Sequence, residues 1–256
     1  MSIDYLKNKS KCVLDKHISF EEGPHIYTIH GDSNYLSVTS WNHSHFEEFN
    51  ADKIINKMMN SRNWTNSKYY GMSKCQIKNK WNKDGMEASE AGTKMHYDIE
   101  CFYNKMKIDN DSKEFSYFLN FHNDHHSFVP YRTEWMIYDK ELRLAGSIDM
   151  IFRNKNDGSL MIYDWKRCKE IKNSNRWQSA KTNCISHLDD CNFNHYSLQL
   201  NTYKYILEKN YDEKVSEMYL VCLHPINHNN NYLKIKVNNL HNEINNLMKL
   251  RYESIY

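Results

Sequence analysis

Two neighbouring apolar segments, each carrying a carboxylate, constrain the fold of this chain more than any other feature. Leu144–Phe152 and Leu160–Lys166 are rich in aliphatic and aromatic residues, which favour β-strands. The segment between them, Asn154–Ser159, has the Asn, Asp, Gly and Ser residues that are typical of a turn. The sequence therefore predicts an antiparallel β-hairpin over residues 144–166.

The expected register of this hairpin brings acidic side chains together. If the turn is symmetric, Asn154 faces Ser159, and Asp149 then faces Asp164 with Cβ atoms about 4.5–5.5 Å apart. Lys166 lies two residues after Asp164 and points to the same face. Two carboxylates this close repel each other unless a cation lies between them, and Mg²⁺ and Mn²⁺ prefer hard oxygen ligands. A surface hairpin with an ordinary Asp–Lys pair is the alternative, but the apolar flanks favour a site for divalent metal.

Helical and strand-like patterns alternate along the rest of the chain. Their order predicts an α/β (α+β) protein with a central mixed β-sheet flanked by helices. We expect a single domain over residues 1–256, in which residues 41–84 are a candidate helical lobe for DNA binding. Helical spacing is found at about 47–60, 74–104, 115–126, 196–209 and from 240 onward, and strand patterns at 25–29, 35–39, 133–138, 142–153, 160–166, 218–223 and 232–237.

Composition restricts the class of protein further. With 256 residues, 40% of them hydrophobic and 26% charged, the chain is long enough for one sizeable core. Met1–Lys11 is polar and no apolar run approaches the roughly 20 residues that cross a bilayer, so we expect a soluble intracellular protein of a cell, organelle or virus, with no membrane partner. The seven cysteines form no C-x-x-C pair and are expected to be free thiols. A net charge of +2 leaves nucleic-acid binding to a local basic surface.

Five short motifs in order resemble those of the PD-(D/E)XK nuclease superfamily. The resemblance covers about residues 85–225 and is greatest to the group around the RecB nuclease domain, lambda exonuclease and the mitochondrial genome-maintenance exonuclease. Ile148 stands where the family motif has proline. The motifs are Ala91–His96 with Ile99–Glu100, Thr133–Trp135, Gly146–Asp149, Asp164–Lys166 and Gln199–Tyr203.

The resemblance implies a restriction-endonuclease-like core, one or two Mg²⁺ or Mn²⁺ ions, and a role for each matching residue. Gln199 and Tyr203 are four residues apart and share a helix face, which an ordinary amphipathic helix also explains. Relatives with an iron–sulfur cluster use three cysteines beyond the Gln motif, where this chain has only Cys222, so we expect no such cluster. The implied roles are metal binding for His96, Asp149, Asp164 and the Trp165 carbonyl, and catalysis or support for Lys166, Asp149, Asp164, Glu134, Gln199 and Tyr203.

Basic residues alternate with aromatic ones in the stretch 53–83. This mixture suits phosphate contacts and base stacking on a DNA end, although a solvated helix in a lysine-rich chain is an equal alternative. The expected DNA contacts are Lys78, Lys80, Trp81, Arg167, Gln199 and Tyr203. Elsewhere, Cys184, His187, Cys191 and His195 have zinc-ligand types at a spacing that favours a polar loop over a zinc site.

These patterns together predict a metal-dependent deoxyribonuclease that hydrolyses phosphodiester bonds. We expect an exonuclease acting on double-stranded ends or single strands of DNA in replication, recombination or repair. A structure-specific or restriction-like endonuclease is one alternative. The other is a non-catalytic DNA-binding subunit that retains the nuclease fold, against which the complete set of acidic residues and Lys166 argues.

Overall fold

The computed structural model describes residues 3–256. The chain divides into two compact units, of which one is Glu48–Lys94 and the other joins the residues up to Glu47 with Met95–Tyr256. The larger unit contains all of the strands named below. None of the helices formed by residues 3–256 is both long and apolar enough to cross a membrane.

From residue 26 onward the elements follow the order that the alternating patterns predict, except for the helix at Val38–His43, whereas the helix Tyr5–Lys9 and the strand Ile18–Glu21 are not predicted. The strands are β1 (Ile18–Glu21), β2 (Ile26–Ile29), β3 (Leu36–Ser37), β4 (Val129–Asp139), β5 (Leu144–Arg153), β6 (Leu160–Lys166), β7 (Val215–Cys222) and β8 (Leu233–Lys236). The helices are α1 (Tyr5–Lys9), α2 (Val38–His43), α3 (Ala51–Met59), α4 (Lys74–Tyr103), α5 (Lys113–Asp124), α6 (Asn192–Asn210) and α7 (His241–Ile255).

A six-stranded mixed sheet forms the centre of the larger unit. Strands β3, β5, β6, β7 and β8 are neighbours in that order, and β4 pairs with β5. The β4–β5, β5–β6 and β7–β8 pairs are antiparallel, whereas β3–β5 and β6–β7 are parallel. Strands β1 and β2 form a separate antiparallel pair. The predicted class, a central mixed sheet flanked by helices, is confirmed.

Helices cover both faces of this sheet because successive strand residues point to opposite sides. On one face, Met150, Tyr163 and Trp165 pack in a cluster that includes Phe118 and Phe121 of α5. On the other face, Ile151 of β5 and Ile162 of β6 pack in a cluster with apolar residues of α2, α6 and α7, which include Leu200 and Leu247. Asp149 and Asp164 alternate with Met150 and Tyr163, so their side chains point to the α6 side.

The predicted hairpin register is confirmed over its length of pairing. Met150 pairs with Tyr163 and Arg153 pairs with Leu160. The turn closes with a 2.8 Å hydrogen bond from the Asn154 N–H to the Ser159 carbonyl. The symmetric turn therefore does set the pairing of β5 with β6.

One predicted strand is partly wrong. The pattern at 35–39 predicts a strand throughout, but only Leu36 and Ser37 are extended and α2 begins at Val38. The Ser37 side chain accepts a 3.0 Å hydrogen bond from the Ser40 N–H, which is the geometry of a helix N-cap. This cap outweighs the β-propensity of Val38 and Thr39.

Candidate active site

The hairpin opens at the two carboxylates. The last pair of the β5–β6 ladder is Met150 with Tyr163, and the adjacent residues Asp149 and Asp164 do not belong to the ladder. Asp149 Oδ2 instead accepts a 2.8 Å hydrogen bond from the Trp165 N–H. The Lys166 carbonyl accepts from Leu223 on the β7 side, so strand alternation places the Trp165 carbonyl on the opposite edge, which faces β5.

Glu134 reaches the same place from β4 through a local distortion. The β4–β5 ladder pairs Thr133 with Met150 and Trp135 with Ile148, and between these pairs Glu134 has a φ of 41°. Non-glycine residues rarely adopt this left-handed conformation within a strand, and it costs about 1–3 kcal/mol. The Glu134 carboxylate accepts a 2.9 Å hydrogen bond from Ser147 Oγ, which fixes its orientation.

His96 approaches these carboxylates from α4. The neighbouring Met95 and Ile99 are buried in the core and anchor this part of the helix. His96 Nδ1 lies 3.4 Å from Asp149 Oδ2 and 3.9 Å from Glu134 Oε1. One ligand atom from each of the three side chains lies within 4.8 Å of the others, and no other group of three His, Cys, Asp or Glu residues in 3–256 is gathered this closely.

The electrostatics of this cluster favour a bound cation. Burial lowers the pKa of His96, but the charges of Asp149 and Glu134 outweigh it and raise that pKa to about 9. Burial also raises the pKa of Asp149, and Glu134 raises it further against the pull of His96 and Lys166. Burial raises the pKa of Asp164 to about 6, although Lys166 acts in the opposite direction. The cluster therefore binds protons tightly, and a divalent ion would relieve the same crowding of negative charge.

Lys166 is held beside this cluster. Its Nζ lies 2.5 Å from Asp164 Oδ2 and 4.6 Å from the centre of the Tyr196 ring. Burial acts to lower the pKa of Lys166, but Asp164 and Asp149 keep that pKa above its usual range. The lysine is therefore a fixed, charged group at the site.

Helix α6 closes the site opposite the sheet. Gln199 Nε2 donates a 3.0 Å hydrogen bond to the Tyr203 hydroxyl, so the two side chains share one helix face. Tyr203 is buried, and its ring lies directly over Gly146 of β5. Both residues line a cavity of about 420 Å³ together with His96, Asp149 and Lys166.

Several residues of this cavity have no counterpart in the sequence motifs. Tyr196 is the one with a usable signal, because it precedes Gln199 by three residues and Tyr203 by seven and so belongs to the same helical face. The others come from the N-terminal part of the chain or from the start of α6, where nothing local marks them. They are His25, Tyr27, Ser37, Thr39, Asn42, His43, Asn192 and His195.

The remaining expected DNA contacts lie in ion pairs or hydrogen bonds. Arg167 Nε donates to Glu114 at 2.7 Å, and both side chains are largely buried. In the 48–94 unit, Lys78 lies 3.0 Å from Asp52, Lys80 lies 3.3 Å from Asp84, and Trp81 Nε1 donates to the Tyr69 hydroxyl at 2.8 Å. Exposed pairs such as those of Lys78 and Lys80 are worth about 0–1 kcal/mol, so phosphate could displace them.

The four zinc-type residues are not assembled as a metal site. His187 bonds to Glu243 at 3.2 Å, and His195 bonds to Asp190 at 2.8 Å. Among residues 3–256, three or more metal-ligand side chains converge only at His96, Glu134 and Asp149. Within this segment Ile185 and Leu188 are buried in the core cluster on the α6 side of the sheet, so it is not the wholly polar loop that the spacing favours.

The donor types of the cluster fit a divalent ion. An imidazole nitrogen and two carboxylates converge, which suits Mn²⁺ and, through the carboxylates, Mg²⁺. The composition differs in one respect from the expected ligand set. Glu134, expected only to support the site, belongs to the converging group, whereas the Asp164 carboxylate lies against Lys166.

One comparison with known protein families covers most of the residues of this site. The family model for the PD-(D/E)XK nuclease superfamily matches residues 112–250, which include Glu134, Asp149, Asp164, Lys166, Gln199 and Tyr203. No curated protein sequence matches the chain. One solved structure, described as "Crystal structure of SSO0001", has 13% identity over 100% of this chain and 85% of its own, with a TM-score of 0.38. The family match spans more than half of the chain, and the protein therefore belongs to the PD-(D/E)XK nuclease superfamily.

Proposed function

We propose that this protein is a Mg²⁺- or Mn²⁺-dependent deoxyribonuclease that acts on DNA ends as an exonuclease. The observation that carries the proposal is the convergence of His96, Glu134 and Asp149 within 4.8 Å, beside the Asp164–Lys166 pair. An inert relative would not be expected to keep a strained glutamate beside the half-buried charges of His96, Asp149 and Lys166, because such groups destabilise a fold unless a ligand compensates them.

Each residue has a distinct part in this proposal. His96, Glu134 and Asp149 would hold the metal, with Asp164 and the Trp165 carbonyl as further ligands. The bound ion would supply Lewis-acid polarisation of the phosphate and a water of lowered pKa. Asp164 keeps Lys166 charged and directed into the cavity, where the ammonium stabilises the negative charge that develops on the phosphate oxygens.

Gln199 and Tyr203 of α6 position the substrate and carry no charge of their own. The Gln199–Tyr203 hydrogen bond and the packing of Tyr203 on Gly146 hold the wall of the cavity that faces the metal ligands. A DNA strand bound between this wall and the sheet would be aligned with Lys166. The exonuclease part of the proposal draws on the resemblance of the motifs to end-acting relatives, with roles in replication, recombination or repair.

Hydrolysis of end-labelled linear DNA tests the proposal. We expect the wild-type protein to degrade it with Mn²⁺ or Mg²⁺ and not with EDTA. Lys166→Ala is expected to reduce the rate by about 10²–10³-fold, the usual effect of losing a group that stabilises developing charge. Lys155→Ala, an exposed lysine in the hairpin turn, is the matched control and should retain full activity.

The substrate distinguishes the alternatives. Rapid cleavage of covalently closed circular DNA would replace the exonuclease with an endonuclease. DNA binding without metal-dependent cleavage of any form would indicate the non-catalytic subunit. Equal rates for the wild type and Lys166→Ala would contradict the assigned chemistry.

A further inference from the structure

The first part of the loop between β6 and α6 is hydrogen-bonded to the first residue of α6. The Asn192 Oδ1 accepts a 2.8 Å hydrogen bond from the Lys172 N–H, and its Nδ2 donates a 2.8 Å bond to the Glu170 carbonyl. The Phe193 N–H also donates to the Lys172 carbonyl at 3.3 Å. Residues 170–172 therefore lie against the N-terminal end of α6.

The tip of the same loop is held by a second set of hydrogen bonds. The Asn175 N–H donates to Asp189 Oδ2 and its Nδ2 donates to the Asp190 carbonyl, both at 2.8 Å. Asn175 Oδ1 in turn accepts a 3.1 Å bond from the Trp177 N–H. The Asp190 N–H donates to the Gln178 carbonyl at 2.9 Å. The backbone on either side of Trp177 is thus fixed to the segment 189–190.

Trp177 itself is 92% exposed. A tryptophan that is buried removes about 150–250 Å² from water, so leaving this ring in solvent forgoes a large stabilisation. Because the backbone beneath it is held by hydrogen bonds, the exposure is a property of the folded loop. A fixed, exposed aromatic ring is the usual form of a stacking platform.

The charges around Trp177 favour an anionic partner. Lys172, Ser174 and Arg176 line an open cleft of about 600 Å³ with Trp177. Asp189 accepts a hydrogen bond from the Asn175 N–H, and Asp190, which also lines the cleft, is paired with His195 at 2.8 Å. Glu170 lies 3.9 Å from Lys172 Nζ in an exposed ion pair, a kind worth about 0–1 kcal/mol, so a phosphate could replace the carboxylate. Lys172 and Arg176 are therefore the cationic side chains that this lining offers to an anionic strand.

This cleft adjoins the candidate active site. Asn192 lines both the cleft of Trp177 and the cavity that contains His96, Asp149 and Lys166. A polymer whose scissile phosphate lies at the metal ligands can therefore continue past Asn192 to the loop tip. A small ligand of the cavity would not need the loop.

We propose that the loop tip, residues 172–177, binds single-stranded DNA continuous with the strand held at the metal ligands. Trp177 stacks on a base, and Lys172 and Arg176 contact the backbone phosphates. This inference rests on the proposed nuclease function and names the part of the substrate that lies outside the catalytic cavity. Stacking depends little on base identity, so the loop increases the affinity for the strand without sequence preference.

Binding of a fluorescent 20-nucleotide oligothymidylate in Ca²⁺ buffer tests this surface apart from cleavage. Trp177→Ala is expected to weaken binding by about 5- to 150-fold, the range for loss of one stacked base, whereas Trp177→Phe keeps most of the affinity. Tyr256→Ala, which removes an aromatic ring that is 75% exposed and lies in neither cleft, is the control and should bind as the wild type.

The phosphate contacts are tested by salt. Arg176→Glu is expected to reduce the slope of log affinity against log salt concentration by about 0.7, the value for one contact to a single strand. Lys155→Glu, the same charge reversal in the hairpin turn, should leave the slope unchanged. Wild-type affinity in Trp177→Ala, or an unchanged slope in Arg176→Glu, would overturn the proposal.

A small substrate separates this proposal from the nuclease assignment. Bis(p-nitrophenyl) phosphate is a single phosphodiester with no further nucleotides to stack on Trp177, which does not line the cavity of the metal ligands, so Trp177→Ala should hydrolyse it at the wild-type rate. Loss of this hydrolysis in Trp177→Ala would contradict a role confined to strand binding. If the wild type cleaves neither this ester nor DNA, the nuclease assignment fails, and the oligonucleotide affinities still decide the role of the loop.

Discussion

Replacing Gly146 with alanine tests whether the packing of α6 on β5 controls the site. A Cβ at this position would lie 2.7 Å from Tyr203 Cε1, 3.2 Å from its hydroxyl and 3.3 Å from Val38 Cβ. Non-bonded carbon atoms prefer about 3.5–4.0 Å, so the ring must move by about 1 Å. Tyr203 is 3% exposed and packs in the core cluster on the α6 side of the sheet, so this shift also disturbs its neighbours.

The cost of this shift follows from its size. Overpacking of a closed core usually costs about 1–3 kcal/mol, and we expect Gly146→Ala to lose this much in free energy of unfolding. A displacement of about 1 Å in a group that positions substrate reduces turnover by about 10²-fold. Urea unfolding followed by circular dichroism gives the first quantity, and the rate of cleavage of linear DNA gives the second.

A matched glycine provides the control. Gly85 lies in α4, and a Cβ added there would meet no atom within 4 Å, so Gly85→Ala should be neutral or stabilising by up to about 1 kcal/mol through helix propensity. In Gly146→Ala/Tyr203→Leu the shorter side chain relieves the clash, so the double variant should lose less stability than the sum of the two single ones. Wild-type stability and activity in Gly146→Ala would refute the reasoning.

Two further results are expected. The pKa values of His96 (about 9) and Asp164 (about 6) are raised, so the folded, metal-free protein holds protons that the unfolded chain releases. The free energy of unfolding should therefore fall as pH rises from about 4 to about 6 because of Asp164, and again from about 6.5 to 9 because of His96. Urea unfolding in EDTA should show the upper fall in the wild type and not in His96→Asn; an identical pH dependence would contradict the assignment. If the 48–94 unit contacts DNA, Lys78→Glu/Lys80→Glu should weaken binding and reduce its salt slope by about 1.5, whereas affinity equal to that of Lys155→Glu would exclude those contacts.

The hairpin was predictable because it is local. A turn of six residues sets the register of β5 and β6, so the neighbourhood of Asp149, Asp164 and Lys166 follows from the order of residues alone. Amphipathic spacing likewise indicates that Gln199 and Tyr203 share a face of α6. These features depend on contacts between residues close in the chain.

The rest of the site depends on contacts between distant segments. The positive φ of Glu134 accompanies the pairing of Thr133 and Trp135 with β5 on either side of it. A glutamate at this position does not itself indicate a distorted backbone. His25 and His43 reach the cavity because β3 pairs with β5 at Leu36 and Leu144, more than one hundred positions apart. A pairing of this kind leaves no periodic pattern in the sequence. The helix that begins directly after Ser37 also makes the two-residue strand β3 hard to recognise.

The parallel pairing of β6 with β7 has a consequence for how the protein is made. The two strands are separated by residues 167–214, so β7 leaves the ribosome long after β6. Until then the strand that carries Asp164 and Lys166 has an unpaired edge, and parallel pairing across so long a connection forms slowly. The helix that closes the cavity, α6, also precedes β7. A nascent chain therefore completes the sheet beneath the candidate active site only after β7 has been made, and products truncated before Val215 are expected to aggregate.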